Sequence, residues 1–222
     1  MTMLRPKPAV LYRGYRSART RVEILNTAVD LASAEGMEGL SIGRLATELR
    51  MSKTGIFAHF GSKEQLQLAT VDAAKQIFLE QIVKPSLQSP RGLPRLRAML
   101  EYWLSYVEKI VFRGGCFFAA AAAEFDSRPG VVRDEIAALS KAWLTALGNE
   151  IAFAQRERTL SATFNPAQLA FELHAYVQEA NWAFKLFSEK SAFLRARRAI
   201  ADRLTSASRK NGPKTRNERK KK

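Results

Sequence analysis

The stretch MSKTGIFAHFGSKEQL (51–66) holds two serines, two lysines, a threonine, a histidine and the very small Gly55 and Ala58 at helical spacing. If Ile56 and Phe60 turn inward, the outward set is Lys53, Thr54, Gly55, Ala58 and His59, with Phe57 partly outward. That set suits the edge of a base pair better than bond-making chemistry. Gly55 and Ala58 allow a helix backbone to come close to bases, and the methyl groups of Thr54 and Ala58 match the thymine methyl. Ser52 is placed to cap this short helix. Lys63 begins the next one, where a cationic side chain and a helix N-terminus both attract phosphate. Arg44, on the preceding short helix, joins the expected contact set.

No residues are arranged for catalysis. The chain has two histidines and one cysteine. His174 has Glu172, Gln178 and Glu179 as sequence neighbours but no second histidine at ligand spacing, so a packed core histidine is favoured over an effector contact. Cys116 excludes an intrachain disulfide and a multi-cysteine metal site. Beside Phe117, Phe118 and an alanine run, inert packing is favoured for it over redox sensing. Neither a cysteine with a base nor a phosphate-binding loop is present, so no enzyme, metal or cofactor is expected.

Composition points to a polyanionic partner. Hydrophobic residues make up 46% and charged residues 26%, an ordinary globular balance, but the formal net charge is +15. The excess implies nucleic acid or an anionic membrane surface. The segment RKNGPKTRNERKKK (209–222) has eight basic residues and one acidic residue, with almost nothing apolar to bury. It is expected to be disordered, either as a solubilising tail or as extra phosphate attraction. No apolar run is long enough to cross a bilayer, and prolines and arginines interrupt the first residues, so a cytoplasmic protein without a membrane partner is expected.

The elements that must position these residues are helical throughout. Residues 1–17 read as a basic irregular arm. A helix with Ile24, Leu25, Ala28, Leu31 and Ala32 on one face stops at Gly36. Short helices follow Ser41 and Ser52, and Ser62 with Gln65 forms a capping box for a longer fourth helix. The segment KPSLQSPRGLP (84–94), with three prolines, marks a boundary. Beyond it come a stripe from Leu93 to Val111, the alanine-rich 116–125, a long helix from about Val132, and helices over 165–187 and from about Ser191. The expected organisation is an arm over 1–17, a helix-turn-helix domain over 18–66, a helical ligand-binding and dimerisation domain over 67–206, and the tail over 207–222.

Three short helices with a tight turn before the capped third are the layout of a helix-turn-helix. The stretch Arg21–Leu68 further resembles the DNA-binding domain of the tetracycline-repressor (TetR) family. The matching positions are Arg21, Ile24, Leu25 and Ala28, then Ser41-Ile42 and Leu45-Ala46, then Ser52-Lys53, Phe57, His59-Phe60 and Ser62-Lys63-Glu64. The resemblance implies an all-α homodimer with a variable C-terminal ligand domain, usually a repressor released from a palindromic operator by a small molecule. It also places His59 among the phosphate-facing or base-facing residues. Two positions depart from the pattern. Phe57 stands where a tyrosine hydroxyl commonly reaches phosphate, and Arg50 fills a turn position where glycine is frequent.

In the C-terminal part, core packing accounts for most aromatics, and the remainder are expected to line a cavity for an apolar or aromatic effector. The candidates are Trp103, Tyr106, Cys116, Phe117, Phe125, Trp143, His174, Tyr176 and Gln178. The 165–187 helix carries two apolar stripes, the second formed by Phe171, Ala175, Trp182 and Leu186. A second stripe needs a second surface, so dimerisation is expected through about 165–206 as a four-helix bundle. The competing classes are a sequence-nonspecific nucleic-acid binder driven by the tail and a helical enzyme or carrier with an incidental basic face.

Overall fold

The computed structural model describes residues 8–208, with side chains from Ala18 onward. The expected disordered tail therefore lies outside the described residues. Ten α-helices in chain order account for most of them: α1 (Pro8–Glu35), α2 (Ile42–Leu49), α3 (Lys53–Phe60), α4 (Lys63–Phe78), α5 (Lys84–Ser86), α6 (Leu93–Glu108), α7 (Phe117–Phe125), α8 (Val131–Arg156), α9 (Pro166–Phe187) and α10 (Ser191–Ala207). Among the described residues the only β-type pairing is an isolated bridge between Leu160 and Ser208.

Helix α1 starts at Pro8, inside the stretch expected to be an irregular arm. Proline fits the first turn of a helix because its fixed φ is helical and its missing N–H is not needed there. Beyond Pro8 no further proline interrupts the run to Glu35.

Local chemistry sets the other boundaries. Ser41 accepts from the Arg44 N–H at 3.1 Å, Ser52 from Gly55 at 3.0 Å, and Ser62 from Gln65 at 3.1 Å. Asn165 Oδ1 accepts from Ala167 and Gln168, with Pro166 at the first helical position. Arg50 closes α2 in the left-handed region (φ 53°), where Met51 N–H reaches Ala46 and Arg50 N–H reaches Thr47. This is the paired hydrogen-bond pattern of a left-handed helix stop. Without glycine the conformation costs roughly 1 kcal/mol.

Helix α4 does not end cleanly. It passes into a π-helical turn over Leu79–Val83 and then into the short α5, which contains Pro85. The widened turn suits a proline that cannot donate to the ladder. Glu150 of α8, nearly buried, secures the start of α6 by accepting from the Gly92 N–H at 2.6 Å and from Arg91 at 3.3 Å.

The N-terminal helices pack around Ile24, Leu31, Met37, Leu40, Leu45, Ile56 and Leu66, all with essentially no exposed surface. The larger bundle, α6 to α10, packs around Leu100, Phe117, Leu147, Leu173, Val177 and Phe193. The loop at 113–116 fastens the two. Arg113 N–H and its guanidinium both donate to the Asp30 carboxylate, at 3.0 and 2.5 Å. Gly114 N–H donates to Ser33 Oγ at 3.1 Å, and Cys116 N–H donates to the buried Asn181 Oδ1 of α9 at 3.0 Å. Lys185 of α9 donates to the Arg113 carbonyl.

At Gly114 a β-carbon would lie 1.6 Å from the Ser33 carbonyl oxygen, which is main chain and cannot swing aside. Gly114→Ala is therefore expected to cost about 1–3 kcal/mol or more, lowering Tm by roughly 3–10 °C. Gly43→Ala, whose β-carbon would meet Lys53 Cε at 3.6 Å, is expected to be neutral or mildly stabilising. Thermal melts followed by circular dichroism check both, and equal Tm values for the two variants would contradict the packing described here.

Candidate nucleic-acid interface and ligand cavity

Helix α3 is short, capped and presented outward. Ile56 is fully buried and Phe60 nearly so, which leaves Lys53, Thr54, Phe57 and Ala58 exposed and Gly55 and His59 partly covered. This is the expected outward set. Phe57, 52% exposed, is a large aromatic with no internal role to explain its position. Gly43 of α2 lies beside the Lys53 stem, and a β-carbon there would make only ordinary contact with Lys53 Cε at 3.6 Å. The far end of α3 is pinned to α1: Arg21 donates to the His59 carbonyl at 2.9 Å and lies over the Phe60 ring at 4.6 Å.

The two flanking cations are not free. Lys63 Nζ donates to the Glu38 carboxylate and to the Glu38 carbonyl, each at 2.9 Å. The Lys63 ammonium holds the Glu38 carboxyl below the usual carboxylate range. Arg44 is shared by Glu35 at 2.8 Å and Glu48 at 2.7 Å, and these hydrogen bonds raise its already high pKa. Both cations lie near α3, but each is partly neutralised by the protein itself.

Behind this region a cavity of about 400 Å³ opens among α4, the π-turn, α6, α7, α8 and α9. Its wall includes Lys75, Phe78, Leu79, Val83, Met99, Trp103, Cys116, Phe118, Ala119, Ala122, Leu139, Ser140, Trp143, His174 and Gln178. Rings meet edge to face: Phe78 with Trp143 at 4.9 Å, Phe78 with Phe118 at 5.9 Å, and Trp103 with Trp143 at 5.6 Å. His174 packs against Trp103 at 5.1 Å, and burial depresses its pKa, which favours the uncharged imidazole. Burial pushes the Cys116 thiol up, so the thiolate needed for redox chemistry is disfavoured.

Of the nine residues expected around an effector, Trp103, Cys116, Trp143, His174 and Gln178 meet at this cavity. The other four do not line it. Tyr106 is buried against Phe78 and Phe112, where burial raises its hydroxyl pKa far above the ordinary value. Phe117 is fully buried on the far side of α7, and Phe125 is buried near that helix's end. Tyr176 turns toward α10, beside Ala192 and Ala196. Phe78, Phe118 and Lys75 were not anticipated from the sequence.

A further residue without a signal in the sequence is Glu124 of α7. Its carboxylate accepts the Met37 and Glu38 N–H groups, each at 2.7 Å, capping the turn between α1 and α2. The helix that supplies Phe118, Ala119 and Ala122 to the cavity thus also holds the turn whose Glu38 grips Lys63. Among the described residues no helix is long and apolar enough to cross a membrane, and no cluster of metal-ligating side chains occurs.

Comparison with known proteins agrees with this architecture. Residues 24–70 match the family described as bacterial regulatory proteins, tetR family, and residues 92–200 match the tetracyclin repressor-like C-terminal domain. Together the two models cover most of the chain. A TetR transcriptional regulator from Chloroflexus aurantiacus superimposes with a TM-score of 0.78 at 22% identity, covering 88% of this chain and 98% of that one. AibR, solved in complex with isovaleryl coenzyme A and operator DNA, superimposes with a TM-score of 0.67 at 24% identity, covering 82% and 97%. The HTH-type transcriptional regulator TcmR of Streptomyces glaucescens is 30% identical over 73 residues, which span only 32% of either chain.

Glu124→Ala would leave two main-chain donors of the α1–α2 turn without an acceptor. It is expected to cost about 1–3 kcal/mol, a fall in Tm of roughly 3–10 °C, with Glu124→Gln recovering part of the loss. An unchanged melting curve for Glu124→Ala would show that the turn does not depend on this carboxylate.

Proposed function

Since the chain belongs to the tetracycline-repressor family of DNA-binding transcription regulators, we propose that it is a repressor whose dimer grips a palindromic operator and lets go when a small organic molecule fills the cavity. The observation that carries this reading is the outward set on α3, from Lys53 to His59, standing one turn away from a helix that runs straight into the cavity wall. In this reading Lys53, Thr54, Gly55, Phe57, Ala58 and His59 face the major groove, with Thr54 and Ala58 against thymine methyls. Ser52, Arg44 and Lys63 face phosphates. The carboxylates of Glu38, Glu35 and Glu48 yield the two cations to the DNA backbone. The protein works in the cytoplasm, where its DNA is.

Dimerisation falls to α9 and α10. Phe171, Trp182, Leu186 and Phe187 on α9 and Leu194 on α10 are all more than half exposed. Several exposed side chains of this size on adjacent helices mark an interaction surface, and a second copy is the partner that would bury them symmetrically. The dimer would hold two α3 helices about one DNA turn apart, near 34–36 Å.

Release follows from the shared elements. Helix α4 begins at Lys63, directly after α3, and ends with Lys75 and Phe78 in the cavity wall. A ligand that binds better when α4 is displaced weakens operator binding by its differential affinity for the two arrangements. AibR, which has been solved with both a small organic ligand and operator DNA, supports assigning the same two kinds of partner here.

Lys53→Ala and His59→Ala are each expected to weaken operator binding about five- to a hundredfold in mobility-shift assays, while sedimentation still shows a dimer. Unchanged affinity in both would refute the contact assignment. Leu186→Glu combined with Trp182→Glu is expected to give a monomer with little operator affinity at the concentrations where the parent protein binds, and a persisting dimer would place the interface elsewhere. DNase footprinting of the neighbouring promoter, with and without ligand, tests repression and release directly.

A further inference from the structure

The cavity carries a polar pattern in an otherwise apolar wall. Trp103 Nε1, Trp143 Nε1 and Gln178 Oε1 are the buried side-chain polar atoms without a hydrogen-bond partner among the described residues, and all three line this one cavity. Trp103 lies beside the Cys116 sulfur, but not in hydrogen-bonding geometry. Buried polar groups are almost always paired, and a cluster left open in one place asks for an outside partner.

The chemistry of that partner can be read from the open atoms. Two indole N–H groups need acceptors, and the Gln178 amide oxygen needs a donor. The perpendicular rings of Phe78, Trp143, Phe118 and Trp103 favour another aromatic plane in edge or offset contact. Lys75 is the only cation in the wall, and it also lies 3.8 Å from Asp72. His174 is held towards its uncharged form and Lys75 already faces Asp72, so the open donors inside the cavity are the neutral indole N–H groups, which suit a carbonyl oxygen. A volume of about 400 Å³ lies towards the small end of the range for drug-sized ligands.

We propose, on the basis of the ligand-released reading above, that the cavity takes a planar aromatic carbonyl compound carrying a free hydroxyl group. Its carbonyl oxygens accept from Trp103 and Trp143, its hydroxyl donates to Gln178, and its rings lie among Phe78, Phe118 and Trp143.

Equilibrium dialysis with the full-length protein tests this, using 2,6-dihydroxyanthraquinone, 9,10-anthraquinone, decanoate and isovaleryl coenzyme A as probes. The dihydroxyquinone is expected to bind one per subunit, at least roughly tenfold tighter than the unsubstituted quinone or either acyl compound. Gln178→Leu should erase the advantage over anthraquinone. Trp143→Phe, at a partly exposed position, should weaken both quinones about fivefold or more and leave decanoate unmoved. Equal affinity for all probes, tighter binding of an acyl compound, no quinone binding, or no response in either variant would overturn the assignment. The regulatory reading fails separately. If the dihydroxyquinone binds as expected without releasing operator DNA, the ligand class stands and ligand release falls; if only the acyl compounds release DNA, the reverse holds.

Discussion

The fold depends on how closely two main chains approach at Gly114. Helix α1 belongs to the part that carries the reading helix, and the 113–116 loop belongs to the larger bundle, yet at Ser33 and Gly114 no side chain fits between them. Around that point Asp30, Ser33 and Asn181 satisfy three consecutive or near-consecutive main-chain donors, at Arg113, Gly114 and Cys116. Small residues and directed hydrogen bonds fix the two main chains at this point, while α4 against α8 and α1 against α7 carry one apolar core across both parts.

Helix α4 is the second link. It starts beside the recognition helix and ends in the cavity, where the π-turn interrupts its regular hydrogen bonding. Turns of this kind recur at functional positions because they rotate the residues that follow and weaken the rod at one point. Leu79 and Val83 of that turn sit in the cavity wall. Glu124 adds a third link, tying the alanine-rich helix of the wall to the turn that carries Glu38.

Features governed by neighbours in sequence were legible before any coordinates. The caps at Ser52, Ser62 and Asn165, the stop at Gly36, and the inward turn of Ile56 and Phe60 all follow from spacing and side-chain chemistry. The cavity was legible only in part. In FFAAAAAEF every face is apolar, so periodicity cannot say which of Phe117 and Phe118 looks into a cavity and which into the core. The π-turn shifts the register after Phe78 by a residue, which a 3.6-residue period does not anticipate. Ion pairs and caps between distant segments, Lys63 with Glu38 and Glu124 with Met37, leave no local trace. The start of α1 at Pro8 is hidden because a run of basic residues and prolines resembles an irregular arm, although proline opens helices readily.

The carboxylates around the reading helix have a thermodynamic consequence. A basic side chain that is bare in the free protein gains a phosphate while the DNA sheds its condensed cations, and that release steepens the fall of affinity with added salt. Lys63 and Arg44 begin instead with Glu38, Glu35 and Glu48 as internal counter-charges. In the proposed complex, engaging DNA there is an exchange of one anion for another, and the displaced carboxylates must be re-solvated or take up cations of their own. The ionic-strength dependence of that complex should therefore be shallower than a count of lysines and arginines around α3 would suggest, leaving more of the discrimination to the uncharged contacts proposed for Thr54, Ala58 and Phe57.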